Sequence, residues 1–213
     1  MTQQVREAIG WVAAGISLLA YLPYIVEYIG GSTKTNPLTH WMWKYFGLHG
    51  GTSPHQASWL IWAGLQYVIF KSSRDQGASA STWIALGYLI GSATNAVLLF
   101  WYGEKKWGWL DYSCAALGTI SLLLLYGEHN LFWALVLAIV TDGIAAIPTI
   151  VGVTRYPQGE SRLGWALFML GAAINILAIG ALNFQEAGYT IYLIAVIGYI
   201  TVNAWRPRHT VTP

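Results

Sequence analysis

Seven apolar stretches, each about as long as a lipid bilayer is thick and separated by short polar clusters, constrain this chain more than any other feature. A helix crossing about 30 Å of hydrocarbon needs roughly 20 mostly apolar residues at 1.5 Å each. Residues 8–29, 56–71, 81–102, 109–126, 131–153, 163–183 and 187–205 meet that length. Turn and charge clusters divide them: Lys71 to Asp75, Glu104-Lys105-Lys106, Glu128-His129-Asn130 and Arg155 to Glu160. The spans do not alternate apolar and polar residues as barrel strands do, which disfavours a β-barrel. The expectation is an all-α membrane protein of seven transmembrane helices. The first apolar stretch is too long for a signal-peptide core and reads as a retained helix.

Composition agrees. Only 9% of the 213 residues are charged, against about 25% in a soluble domain, so the chain lacks the polar surface to face water all round. A net charge of +2 leaves no basic footprint for nucleic acid. The single cysteine, Cys114, cannot form an intramolecular disulfide.

Positive charge predicts the orientation. One side would carry Arg6, Lys71 and Arg74, and the other Lys34, Lys44, Lys105, Lys106, Arg155, Arg162, Arg206 and Arg208. Three against eight places the N-terminus outside and the C-terminus in the cytoplasm, in a plasma (bacterial inner) membrane. The connection 30–55 is longer than the others and holds Trp41-Met42-Trp43-Lys44-Tyr45-Phe46. Trp and Tyr beside Lys suit an interfacial helix, or a loop with interfacial aromatics.

The chain also reads as a repeat, a feature that transporters often carry. Within span one the stretch Ile16 to Ile25 passes through Pro23, and within span five the stretch Thr141 to Ile150 passes through Pro148. Spans two and six open on Ser58-Trp59 and Gly164-Trp165; spans three and seven share Ile90-Gly91 with Asn95, and Ile197-Gly198 with Asn203. The expected organisation is a first three-helix repeat over 1–103, a linker helix over 104–129 and a second repeat over 130–213. Three helices plus a linker make an even number of crossings, so the repeats run parallel. This 3+1+3 pattern resembles the SWEET and PQ-loop transporter superfamily. The string from Pro54 to Trp62 is similar to one in small bacterial seven-helix membrane proteins of that kind. The name-giving Pro-Gln dipeptide is absent within the spans, where Tyr24 and Thr149 follow the prolines.

The resemblance implies a solute site built from an Asn and a Trp of each half, which nominates Asn95, Asn203, Trp59 and Trp165 as substrate-binding residues. The tryptophans also fit an interfacial belt, and Asn175 fits a helix-bridging amide. Pro23 and Pro148 are candidate hinges, or static kinks, since proline removes one helical hydrogen bond. Asp142 stands near the middle of span five, where a carboxylate costs roughly 2.5–3.5 kcal/mol, and no basic residue lies inside another span to pair with it. It is expected to relay protons or contact a polar substrate, or else to lock helices as a neutral acid, bonded to Thr141, Asn95, Asn175 or Asn203. Gly87-x-x-x-Gly91 fits close helix packing.

The five histidines lie in loops or at helix ends, and no protease, metal or nucleophile motif is present. No enzymatic activity, cofactor or metal is expected. Two function classes follow. One is a secondary carrier moving a small polar solute by alternating access. The other is a non-transporting subunit of a larger membrane complex. The expected partners are the lipid bilayer, a small polar solute, and a second copy of the chain or other membrane subunits.

Overall fold

The computed structural model describes residues 1–32, 56–102, 107–127, 129–157 and 160–206. Among them the chain is all-helical and forms seven rods. The first is α1 (Gln3–Leu19) continued by α2 (Tyr21–Ser32). The others are α3 (Gln56–Asp75), α4 (Trp83–Tyr102), α5 (Trp109–Tyr126), α6 (Leu131–Arg155), α7 (Arg162–Asn175) and α8 (Tyr189–Ala204). A 3-10 turn, Ala80–Thr82, leads into α4, another, Ile176–Ala178, extends α7, and a π turn, Phe184–Gly188, leads into α8. Of the 30–55 connection, residues 30–32 continue α2 and the rest lies outside the described residues.

Local chemistry sets these boundaries. Ser161 Oγ accepts from the Gly164 N–H at 3.3 Å and Asn130 Oδ1 from the Trp133 N–H at 3.4 Å, capping α7 and α6. Helix α3 ends in a Schellman turn. The Gly77 N–H donates to the Arg74 carbonyl and the Ala78 N–H to that of Ser73, both at 3.0 Å, with Gly77 at φ +89°. In the first rod, Pro23 offers no N–H to the Leu19 carbonyl and its ring crowds that oxygen, so α1 stops at Leu19. Ala20 keeps right-handed dihedrals (φ −62°, ψ −20°), and the chain carries on as α2. Pro148 lies inside α6 without dividing it.

The sixth span is shorter than its sequence predicts. Helix ends at Ala178, and residues 179–183, though mostly apolar, turn over the end of the bundle. Asn183 Oδ1 accepts from the Glu186 N–H at 2.9 Å and starts the next helix there. Among the described residues, five helices are long and apolar enough to cross a membrane: Gln3–Val26, Ala80–Trp101, Trp109–Tyr126, Leu131–Arg155 and Phe184–Ala204. They point to an integral membrane protein. Helix α3, with its polar last turns, and the shorter Arg162–Ala178 fall outside that set. The outer surface carries large apolar side chains, among them Trp101, Trp109, Leu123, Ile191 and Val202, as a lipid-facing surface does.

Helix packing is ordered. Helix α4 packs on both α1 and α3, so the third rod lies between the first and second. Helix α8 likewise packs on both α6 and α7, so the seventh lies between the fifth and sixth. The two trios meet where α1 packs on α7 and α3 on α6, while α5 lies against α6 and α3. Small residues permit the close approaches. A Cβ on Gly87 would lie 2.6 Å from the Ala14 carbonyl oxygen, and one on Gly91 would lie 2.2 Å from the Tyr21 ring. These two glycines seat the first rod on α4.

Candidate functional site

Where the trios meet lies a half-open cavity of about 380 Å3. Every helix of the two trios lines it: Tyr21 and Tyr24 from the first rod, Trp59, Trp62 and Gln66 from α3, and Tyr88 and Ser92 from α4. Asp142, Pro148 and Thr149 come from α6, Trp165 and Phe168 from α7, and Tyr189 and Tyr192 from α8. Helix α5 contributes nothing.

Asp142, 7% exposed, lies at the mid-helix end of this cavity. Each of its oxygens receives one donor: Gln66 Nε2 reaches Oδ1 at 3.1 Å and the Tyr192 hydroxyl reaches Oδ2 at 2.6 Å. The Tyr189 hydroxyl donates to Gln66 Oε1 at 2.5 Å, which orients the amide so that its nitrogen faces Asp142. Three of the four residues expected to hold Asp142 bond elsewhere. Thr141 Oγ1 donates to the Leu137 carbonyl at 2.7 Å, and Asn175 Nδ2 to the Ser81 carbonyl and Thr190 Oγ1 at 2.9 and 2.8 Å. Asn203 Nδ2 donates to the Tyr199 carbonyl at 2.7 Å.

The other end of the cavity carries a second acid. Glu160, just before the α7 N-terminus, accepts from Trp165 Nε1 at 2.9 Å and from the Tyr24 hydroxyl at 3.1 Å, both on Oε2. Burial pushes its carboxyl above the usual carboxylate range, against the pull of these two donors. The nearby Arg162 points elsewhere: its Nε donates to the Ala204 carbonyl at 2.8 Å and its guanidinium lies 5.8 Å from the Trp205 ring centre.

Between the acids stand aromatic walls. The Tyr24 ring meets Trp59 at 5.8 Å and Trp165 at 6.2 Å, both near perpendicular (70° and 86°). Tyr21 meets Phe168 at 4.9 Å and 85°, and its hydroxyl bonds the Tyr88 carbonyl and Ser92 Oγ at 3.2 and 3.0 Å. A Cβ on Gly164 would lie 2.7 Å from the Tyr24 ring, so the glycine before Trp165 makes room for Tyr24.

The structure thus brings Trp59, Trp165, Asp142 and Pro148 to one cavity. Pro23 is buried in the first rod between two cavity tyrosines. Asn95 and Asn203 are fully buried, but neither lines the cavity. Gln66, Glu160 and the tyrosine pairs escaped the sequence reading. A helical-face signal was there to find: Trp59, Trp62 and Gln66 are spaced three and four apart, and Tyr21–Tyr24 and Tyr189–Tyr192 three apart. Glu160 has no such signal, because it sits in a polar turn.

The end of the bundle away from Glu160 is tied together. Glu186 accepts from the Ser79 N–H (2.8 Å), Ser79 Oγ (3.0 Å), Ser81 Oγ (2.6 Å) and the Gly180 N–H (3.4 Å). Arg6 adds a bond to the Gly180 carbonyl at 3.3 Å. This knot joins the first trio to the α7–α8 turn of the second.

No protein-family model, curated protein or solved structure matches the chain.

Proposed function

We propose that the protein is a secondary carrier that moves a small polar solute by alternating access, with a SWEET/PQ-loop-like arrangement of two parallel three-helix repeats and α5 as the linker. The observation that carries this reading is the cavity itself, to which all six helices of the trios contribute and α5 does not. The packing order supports it. The third helix of each trio lies between the other two, and the cross-contacts α1–α7 and α3–α6 exchange under a two-fold axis along the bundle. In this reading the cavity is the state open toward Glu160, and the Glu186 knot is the closed gate of the opposite face. Asp142 is the coupling carboxyl, Trp59 and Trp165 are the stacking surfaces, and Pro23 and Pro148 are the points where the first and fifth helices flex. The amide role expected of Asn95 and Asn203 falls on Gln66. The N-terminus lies outside a bacterial inner membrane and the C-terminus in the cytoplasm.

The test needs no known solute. A cysteine placed at Ala145, on the cavity wall, in a Cys114→Ala background should react with a membrane-impermeant maleimide from either face of the vesicle. Each face would react in a different conformational state. Labelling from one face only, under every ion gradient tried, would leave a static pocket and favour the complex-subunit reading.

A further inference from the structure

Resting on that carrier reading, we propose that the cavity selects a small organic ammonium ion, a quaternary or tertiary amine bearing no carboxylate of its own. Two carboxyl groups, Asp142 and Glu160, line the cavity, and among the described residues no Lys, Arg or His does. A buried carboxylate either takes up a proton or needs a compensating charge, and here the ligand would supply that charge.

The walls point the same way. A cation is drawn to the face of an aromatic ring within about 6 Å of its centre, most strongly where water is excluded. Tyr21, Tyr24, Trp59, Trp165 and Phe168 line this space, meeting mostly at steep angles, while Phe168 stacks on Tyr88. A volume of about 380 Å3 lies near the small end of ligand pockets.

Two other solute classes fit less well. A sugar needs many hydrogen-bonding partners, and most of those at hand are engaged: both Asp142 oxygens, both ends of the Gln66 amide and the Tyr21 hydroxyl already bond to protein. That leaves the Tyr88 hydroxyl as the buried one without a partner among the described residues. A zwitterionic amino acid would bring a carboxylate beside two others with no cation to receive it. An ammonium ion without an acid group needs only negative charge and aromatic walls, and two acids among aromatic side chains line the cavity.

The experiment compares three solutes of nearly one shape. They are choline, its uncharged carbon isostere 3,3-dimethyl-1-butanol, and glycine betaine, which keeps the quaternary nitrogen but adds a carboxylate. Labelled choline should bind the purified protein saturably. The isostere and glycine betaine should compete on the order of tenfold or more weakly. Asp142→Asn should lower choline affinity by a similar factor, and the three-solute series on the unmodified protein decides the matter if that variant fails to fold. Equal competition by the three, or no choline binding, overturns the ligand class. Glucose counterflow in vesicles with no choline binding does so while leaving the carrier reading standing. Selective choline binding without choline counterflow supports the ligand class and overturns the carrier reading.

Discussion

Asp142→Asn separates the structural role of this residue from its chemical role. The Tyr189 hydroxyl donates to Gln66 Oε1, so the Gln66 nitrogen must stay a donor toward position 142. An asparagine there would turn its oxygen to Gln66 and its NH2 to Tyr192, whose hydroxyl would rotate from donor to acceptor. Two charge-assisted bonds, worth about 1.5–3 kcal/mol each, become neutral ones worth about 0.5–1.5 kcal/mol each. Relief of the buried charge offsets part of this, so the expected loss of stability is about 1–2 kcal/mol. Asp142→Leu strips both donors instead, leaving the Gln66 nitrogen and the Tyr192 hydroxyl buried and unpaired at about 1–3 kcal/mol each. Thermal unfolding in detergent, followed by tryptophan fluorescence, should order the proteins wild type, then Asn close behind, then Leu well below. In vesicles, Asp142→Asn should abolish the coupling of transport to protons, since the amide cannot alternate between charge states, while downhill exchange persists once the solute concentration offsets its weaker binding. If Asn unfolds as early as Leu, the assigned direction of the relay is wrong. If Asn leaves uptake and its pH response untouched, Asp142 only holds helices together.

Four further outcomes are expected. Tags at the two ends should report opposite faces, with the N-terminus outside; both on one face would remove a span. Gly91→Ala, whose Cβ would meet the Tyr21 ring at 2.2 Å, should cost about 1–3 kcal/mol in the same unfolding assay and reduce ligand affinity by displacing a cavity wall. Glu160 is raised chiefly by burial, against the donors Trp165 and Tyr24, so it takes up its proton at a higher pH than a free glutamate. Ammonium binding should weaken as the pH falls through that raised range, and Glu160→Gln should make the fall shallower, leaving the part that Asp142 contributes. The same group contributes most stability below the ordinary glutamate range and loses it as the pH rises through its folded value. Glu186→Gln, which removes the charge from the knot on Ser79, Ser81 and Gly180, should loosen that end and raise maleimide labelling of the Ala145 cysteine from the N-terminal face.

Some of this was legible in the residues themselves. The span 109–126 coincides with Trp109–Tyr126, because apolar length between polar clusters is a local property. Asp142 stood out because a carboxyl group at mid-span is costly wherever its helix lies. The break after Leu19 was also foreshadowed, since Pro23 acts on a carbonyl four residues away. The early end of α7 was not, because residues 179–183 are mostly apolar and only Asn183 at the next helix start marks the turn.

The site divides along the same line. In lipid a helix satisfies its backbone within its own segment, so the sequence alone determined that these segments are helices and roughly where they stop. Which of their faces meet is another matter. Lipid tails are as apolar as leucine, so no hydrophobic gradient chooses helix partners, and close fit and polar contacts decide. Gln66 and Tyr192 reach Asp142 from 76 and 50 residues away. Tyr24 and Glu160 meet across 136. Only the tertiary structure could place two acids and a ring of aromatic side chains around one cavity, because the seating of Tyr21 on Gly91 and Tyr24 on Gly164 depends on steric fit between helices far apart in the chain.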